Sequence, residues 1–215
     1  MAASVAKGVV RGVASALCGV AIIAAFAAHT STAKASLLGT SAASYCDPSS
    51  TKAFFQFGDS ANYSRLLNGG FESGSTGWVL SGGARVVSGN ESYYLSGNRS
   101  DSHSLSLPAG SSAYSGTVCF ALGDWHLRFM MKRLSSSGGM HVQVIVPGLL
   151  GGLLTVLDGG TVSGSGSWAP SPRMALLLSN VTSLIGTKAV AFKFTPVNGG
   201  SYQIDDVYLD PWKCT

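Results

Sequence analysis

The chain has 215 residues, of which 46% are hydrophobic and only 11% are charged, with 14 basic and 10 acidic side chains. The basic residues do not gather into the stripe that a nucleic-acid surface needs, so the composition excludes a nucleic-acid-binding protein. The 28 glycines occupy turn-like positions without a fixed period, which excludes collagen and repeat arrays.

Residues 1–35 have the pattern of a secretory signal peptide. Lys7 and Arg11 precede an unbroken run of small and apolar residues over 12–28, and Ala33-Lys34-Ala35 offers a cleavage site. An uncleaved membrane anchor is the alternative, because the run is close to the roughly 17-residue lower limit for spanning a bilayer. Cleavage predicts a secreted protein without a membrane segment. The remaining 180 residues carry 11 basic and 10 acidic groups and suit one domain.

Residues 36–65 are rich in serine and alanine and show neither a helical nor an alternating period. We predict that they form an N-terminal extension that packs on the domain. Its apolar patch consists of Phe54, Phe55 and Phe57. Three clustered phenylalanines without a polar group favour a hydrophobic plug over a platform for a sugar ring.

The stretch Leu66 to Trp78, LLNGGFESGSTGW, opens the domain predicted over residues 66–215. Its two leucines are expected to enter a strand, and Asn68-Gly69-Gly70 to allow a positive φ or a bulge. Phe71 is expected to be buried beside the carboxylate of Glu72. The polar residues that follow predict a turn, after which Trp78 begins the next strand.

After this stretch the chain breaks into short runs with turn signals about every eight to twelve residues, which predicts an all-β protein. Several runs alternate apolar and polar side chains, so one face of each strand should point inward. Asp158-Gly159-Gly160 predicts a hairpin-like turn, and residues 179–185 predict a single helical turn. The predicted strands cover residues 84–88, 103–107, 115–121, 127–132, 141–146, 153–157, 161–163, 190–194 and 201–209, and residues 173–178 are predicted to form either a strand or a loop.

The N-G-G-F-E-x-G-x-x-G-W pattern of Asn68 to Trp78 and the run Ile204-Asp205-Asp206-Val207 resemble the two ends of jelly-roll carbohydrate-binding modules and their galactose-binding-domain-like relatives. Nearly the whole mature chain also resembles a group of short secreted bacterial proteins of unassigned function. The resemblance implies a jelly-roll β-sandwich of two antiparallel sheets, preceded by the signal-peptide helix and the extension. It is more specific for the fold than for a ligand, because one architecture hosts many functions.

In the modules that the sequence resembles, a structural calcium ion joins the first and last strands. The resemblance implies ligands from Glu72 and Asp205, with carbonyl oxygens near Asn68 and a further carboxylate from Asp206. Oxygen donors of this kind suit a hard cation. In the alternative, Glu72 pairs with Arg85 or another base, and the two adjacent acids face solvent at the end of a strand.

Sugar recognition usually combines aromatic faces with a few polar groups. Trp78 and Trp168 follow turns at strand starts, where burial is expected. Trp125 instead lies in a polar loop, and Arg128, His141, Gln143 and Lys193 are expected on the sheet face opposite the core. We predict a site for a polysaccharide or cell-wall glycan that contains Trp125, His126, Tyr93, Tyr94, Arg128 and Gln143.

Three cysteines, Cys46, Cys119 and Cys214, survive cleavage, so an oxidising compartment should leave one of them unpaired. The resemblance to the unassigned secreted group implies a disulfide between Cys46 and Cys119. A bond between Cys46 and Cys214, which would tie the two ends together, is the alternative. The remaining cysteine could form a disulfide dimer.

Motifs of catalysis are weak in this sequence, which predicts a protein that is not an enzyme. It has no G-x-S-x-G, H-E-x-x-H or C-x-x-C motif and no phosphate-binding glycine loop. Asp101, His103 and Ser104 lie together, but a strand places neighbouring side chains on opposite faces. Two other functions stay open: a cell-envelope or protein-interaction module without sugar binding, and a hydrolase that uses paired carboxylates.

Overall fold

The computed structural model describes residues 49–119, 126–146, 155–176 and 189–210. Among them, a 3-10 helix at Phe55–Phe57 precedes the strands. In chain order the strands are β1 (Ser64–Arg65), β2 (Trp78–Ser81), β3 (Arg85–Ser88), β4 (His103–Leu107), β5 (Ser112–Ser115), β6 (Val118–Cys119), β7 (His126–Arg133), β8 (Gly139–Val146), β9 (Thr155–Val162), β10 (Ala169–Pro170), β11 (Met174–Ala175), β12 (Ala189–Val197) and β13 (Tyr202–Leu209).

These strands form two antiparallel sheets. The first has the order β10-β7-β13-β4-β3, with β1 beside β13 and β11 beside β7. The second has the order β2-β5-β12-β8-β9, with β6 beside β12. Neighbours in each sheet are mostly distant in sequence, as in a jelly roll, and the predicted β-sandwich of two antiparallel sheets is confirmed.

The core lies between the sheets and follows the predicted alternation. Phe129 of β7 meets Phe194 of β12 edge to face, with ring centroids 5.3 Å apart. Phe71 and Trp78 are both buried, as predicted, and their ring centroids are 4.9 Å apart. Because inward side chains recur at every second residue, each strand contributes one apolar row to this core.

The prediction of a hairpin turn at Asp158-Gly159-Gly160 is wrong. These residues lie inside β9, opposite a register shift between Val142 and Gln143 of β8. A Cβ on Gly159 would lie 2.9 Å from the Val142 carbonyl oxygen, and Gly160 has a φ of 97°. The glycines therefore mark a β-bulge rather than a reversal of the chain.

Other boundaries also differ from the predictions. The strand predicted over 115–121 is divided into β5 and β6, and the strand at the start of the domain ends at Arg65, before the two leucines. The signal peptide at 1–35, the helical turn at 179–185, Trp125 and Cys46 lie outside the described residues. Within the described ranges, no helix has the length and apolar character needed to cross a membrane.

Residues 51–63 cover part of the outer face of the first sheet. Phe54 is fully buried and packs edge to face against Tyr63 and Tyr208, with centroid distances of 5.1 and 5.7 Å. The predicted plug is thus confirmed for this ring. Phe57 is partly buried and packs against the same cluster, whereas Phe55 is 65% exposed, so two of the three phenylalanines contribute to the plug.

The two sequence motifs pack directly on each other. The Leu66 amide donates to the Val207 carbonyl at 2.9 Å, and the Val207 amide donates to the Gly69 carbonyl at 3.0 Å. In the Asn68-Gly69-Gly70-Phe71 stretch, positive φ values fall on Asn68 and Phe71 rather than on the two glycines. A Cβ on Gly69 would lie 2.7 Å from the Val207 carbonyl oxygen, so this glycine permits close approach of the two backbones.

Candidate functional site

The outer face of the second sheet carries a row of side chains that the strand register places side by side. Val79 is opposite Tyr114, Tyr114 opposite Lys193, Lys193 opposite Gln143, and Gln143 opposite Asp158. The Lys193 ammonium nitrogen lies 5.1 Å from the centre of the Tyr114 ring. The row therefore combines an aromatic ring, an ammonium, an amide and a carboxylate.

His141 extends this polar surface next to the row. Its Nε2 lies 2.9 Å from Asp158 Oδ1, and the same oxygen accepts a 2.8 Å hydrogen bond from the Gly160 amide. Hydrogen bonds from the Gly160 amide and from His141 lower the pKa of Asp158. The carboxylate is thus kept ionised, and the β9 bulge places it toward solvent at the edge of the sheet.

On the outer face of the first sheet, the side chain of Arg128 is covered by the extension. This side chain lies beneath the extension, where its guanidinium pairs with Asp59, donates to the Ser171 carbonyl at 3.0 Å, and lies 4.7 Å from the centre of the Phe54 ring. Tyr63 donates to Asp59 at 2.7 Å. Burial opposes ionisation of Asp59, but hydrogen bonds from Tyr63, the Ala61 amide and Arg128 outweigh it and lower its pKa.

His126, the first residue of β7, pairs with Asp210. The distance from its Nδ1 to Asp210 Oδ2 is 2.6 Å, and Nη2 of Arg173 lies 3.2 Å from the same ring nitrogen. Burial raises the pKa of Asp210, although the hydrogen bond from His126 opposes this effect. The histidine thus joins a cluster of charges instead of standing alone in a loop.

Tyr93 and Tyr94 are partly exposed in the loop between β3 and β4. The Tyr93 ring meets Phe57 edge to face at 4.9 Å, and the Arg99 guanidinium lies 5.9 Å from the centre of the Tyr94 ring. The buried carboxylate of Glu91 orders this loop by accepting hydrogen bonds from the Tyr93 and Leu95 amides.

The predicted sugar-binding residues are therefore distributed over two faces. Gln143 lies on the outer face of the second sheet, whereas Arg128 lies on the outer face of the first sheet, with Tyr93 packed against the extension that covers that face. Tyr114 was not among the predicted site residues, because the strand was predicted to begin at Ser115 whereas β5 begins at Ser112, three residues earlier. Arg173 was not among them either.

The residues predicted to bind calcium have protein partners. Glu72 Oε1 accepts from the Ser102 and His103 amides at 2.9 and 2.8 Å, and Oε2 lies 3.1 Å from His103 Nδ1. The base beside Glu72 is thus His103 rather than Arg85. Asn68 braces its own turn by donating to the Gly74 and Thr76 carbonyls at 2.8 and 3.0 Å.

Asp205 and Asp206 are both buried, so the alternative in which they face solvent is wrong. Asp205 accepts hydrogen bonds from the Glu91 amide at 3.0 Å and from the Asp206 amide at 2.7 Å. Burial, reinforced by the charge of Asp206, raises the pKa of Asp205 to about 9. Burial also raises the pKa of Asp206 to about 6, against the attraction of Arg65.

One carboxylate oxygen in this region lacks a partner. Asp206 Oδ1 lies 3.4 Å from the Arg65 guanidinium, whereas Asp206 Oδ2 is buried and has no hydrogen-bond partner in the described part of the chain. Over the same residues, no group of three or more His, Cys, Asp or Glu side chains is arranged to hold a metal ion. Cys119 lies on β6, and its disulfide to Cys46 stays a prediction.

Comparison with known proteins gives similar structures but no sequence family. No protein-family model matches the chain, and no curated protein matches it. The CBM22-1 xylan-binding domain of Xyn10C from Paenibacillus barcinonensis is similar, with 15% identity, a TM-score of 0.46, and coverage of 71% of this chain and 97% of that domain.

Two further similar structures are also carbohydrate-binding modules. TmCBM61, solved with β-1,4-galactotriose, has 19% identity, a TM-score of 0.37, and coverage of 69% of this chain and 99% of that one. A family 16 carbohydrate-binding module has 14% identity, a TM-score of 0.37, and coverage of 68% and 99%. The predicted resemblance to such modules is confirmed as a likeness between β-sandwich folds.

Proposed function

We propose that this protein is a secreted, non-catalytic module that binds a polysaccharide on the outer face of its second sheet. The observation that carries the proposal is the cross-strand row of Tyr114, Lys193 and Gln143. A tyrosine ring offers an apolar face, while the ammonium and the amide supply donors and an acceptor for sugar hydroxyls. An extended sheet face also suits a linear chain of sugar residues.

The contrast between the two sheets supports the choice of this face. Residues 51–63 pack over the outer face of the first sheet, where Phe54 and Tyr63 are fully buried. On the second sheet, Tyr114, Lys193, Gln143 and His141 are all partly exposed. The face that remains polar and accessible is therefore the one on which hydroxyl-rich ligands can lie.

The test measures binding of the chain from Ser36 onward to soluble polysaccharides by isothermal titration calorimetry. Xylan and β-1,4-galactan are the first polymers to try, followed by isolated cell-wall glycans. We expect Tyr114→Ala and Gln143→Ala each to weaken binding about tenfold, which corresponds to about 1.4 kcal/mol.

Tyr94→Ala is the matched control, because it removes a partly exposed tyrosine outside the proposed face. It should leave the affinity unchanged. Loss of binding in Tyr94→Ala together with unchanged binding in Tyr114→Ala would contradict the proposal and move the site to the loop between β3 and β4.

We also propose that a structural calcium ion binds beside the last strand, with Glu72, Asp205 and carbonyl oxygens near Asn68 as ligands. Asp206 Oδ2 supports a cation in this region, because it is buried without a hydrogen-bond partner and an unsatisfied buried oxygen is costly, even though Oδ1 lies near Arg65. Calcium should raise the melting temperature and a chelator should lower it. An identical melting temperature under both conditions would contradict this proposal.

A protein-interaction or cell-envelope module is the second candidate function. The 3-10 helix of the extension favours it, because it presents both the exposed Phe55 and the partly exposed Phe57, and neighbouring apolar side chains at a surface can form part of a contact with another protein. A folded protein that binds none of the polysaccharides would favour this candidate over sugar binding.

A further inference from the structure

An open pocket of about 420 Å³ lies where residues 57–61 of the extension approach β7 and the segment between β10 and β11. It is lined by Phe57, Asp59, Arg128 and Arg173, together with Gly58, Ser60 and Ala61. Sites for small molecules usually have volumes of about 300 to 1,000 Å³, so this pocket has room for a sugar residue. It is separate from the face proposed above, which belongs to the other sheet.

The inner part of the pocket is a fixed ion pair. The side chains of Arg128 and Asp59 are 11% and 8% exposed and contact each other directly. Tyr63 and the Ala61 amide also donate to Asp59, and the Ser171 carbonyl accepts from Arg128. Because these two charges compensate each other, they leave little charge for a ligand.

Arg173 provides the accessible positive charge at the rim. Its side chain is 46% exposed, with Nε 3.8 Å from Asp59 Oδ2 and Nη2 3.9 Å from Asp210 Oδ2. Both distances exceed that of a hydrogen bond. A guanidinium has five N–H donors, and the contact of Nη2 with His126 engages only part of them.

An aromatic wall stands in the same pocket. Phe57 lines it, and the Tyr93 ring supports Phe57 through an edge-to-face contact at 4.9 Å. A flat ring beside a guanidinium matches a sugar ring that carries a carboxylate: the sugar packs on the aromatic face while the carboxylate takes two parallel N–H bonds. A neutral sugar would leave the rim charge of Arg173 unused.

We infer that this pocket binds the uronic acid residues of an acidic polysaccharide, with Arg173 as the carboxylate-binding side chain and Phe57 as the stacking surface. The inference rests on the proposed function for the saccharide nature of the ligand, but it assigns a second site with a different charge preference. The extension is part of this site, which gives residues 57–61 a role beyond covering the sheet.

The test compares oligogalacturonate with the same oligomer after its carboxylates are reduced to alcohols. Calorimetry at about 0.15 M ionic strength limits long-range charge effects. We expect the acidic oligomer to bind at least tenfold more tightly than the reduced one. Arg173→Gln should remove this difference, whereas Arg173→Lys, which keeps the charge but loses the planar fork, should reduce it only in part.

Arg85→Gln is the matched control, because it makes the same change of charge at an exposed arginine on β3. Its affinity for the acidic oligomer should equal that of the unmodified protein. Equal binding of the acidic and reduced oligomers, or equal losses in Arg85→Gln and Arg173→Gln, would overturn the inference. Binding of inorganic phosphate without binding of oligogalacturonate would also overturn it.

The polysaccharide site proposed on the second sheet and the uronic acid pocket inferred beside the extension can be tested independently. Tyr114→Ala should weaken binding of neutral polymers and leave oligogalacturonate binding intact, whereas Arg173→Gln should do the opposite. Thermal unfolding of Arg173→Gln verifies its fold, since a half-exposed side chain at the rim contributes little to the core.

Discussion

The Tyr63 hydroxyl donates a 2.7 Å hydrogen bond to Asp59 Oδ2, four residues earlier in the chain. The same carboxylate pairs with Arg128, which is 69 residues away. Asp59 therefore links the extension to the first sheet through a buried tyrosine on one side and a buried arginine on the other. Burial and this hydrogen bond together raise the pKa of Tyr63 to about 12.

Tyr63→Phe should make the protein more sensitive to acid. The pKa of Asp59 lies below its ordinary value of 3.8 in the folded state, so its stabilising effect is present above that value and is lost as pH falls through the lowered pKa. Removing the hydroxyl raises this pKa, so acid unfolding should begin at a higher pH. At neutral pH we expect a loss of about 1.5 to 3 kcal/mol.

Tyr202→Phe is the control for this pH effect. Its hydroxyl donates to the Gly138 carbonyl at 2.6 Å, which is a partner that does not titrate. Unfolding in urea at several pH values should show a loss in this variant that does not change with pH. A pH-independent loss in Tyr63→Phe as well would contradict the role assigned to Asp59.

Phe54→Ala should detach the extension and leave the main core folded. Phe54 is fully buried against Tyr63 and Tyr208, in a cluster separate from the core between the sheets. We expect a loss of about 3 to 5 kcal/mol in the stability of the docked extension, measured as faster proteolytic cleavage within residues 49–63. Phe55→Ala, at an exposed position in the same segment, should change cleavage very little. Equal cleavage of both variants would refute the separation of the two clusters.

Gly69→Ala should destabilise the contact between the two ends of the domain. The added methyl group would lie 2.7 Å from the Val207 carbonyl oxygen, and backbone atoms have little freedom to move away. We expect a loss of about 1 to 3 kcal/mol in the free energy of unfolding, measured in urea. Gly166→Ala is the control, because a Cβ there meets no atom within 4 Å. Similar free energies of unfolding for Gly69→Ala and Gly166→Ala would contradict a tight backbone contact between Gly69 and Val207.

Much of the fold could be predicted from local sequence patterns. Val190, Phe192 and Phe194 alternate with smaller or polar neighbours, and all three are buried in β12 as expected. Alternation reports burial because a strand repeats every two residues, whatever its partner. The Asp158-Gly159-Gly160 signal was misread because turns and bulges both require glycine.

The candidate sites depended far more on tertiary structure. Sequence reasoning placed Arg128 on an open sheet face, but the extension returns over that face and Asp59 pairs with it. Gln143 lies on the other sheet, although only 15 positions separate it from Arg128. Such assignments follow from strand order, which short-range patterns do not contain.

The sequence by itself determined the all-β class, the alternating core strands and the burial of Phe54, Phe71 and Trp78, because each depends on side chains close together in the chain. Only the tertiary structure decided that residues 51–63 cover part of one sheet face, that Tyr114, Lys193 and Gln143 are partly exposed on the other within the described part of the chain, and that Arg173 and Phe57 share a pocket. Asp59 and Arg128 are 69 positions apart and Phe57 and Arg173 more than a hundred, so these relationships arise from the packing of strands rather than from any local pattern.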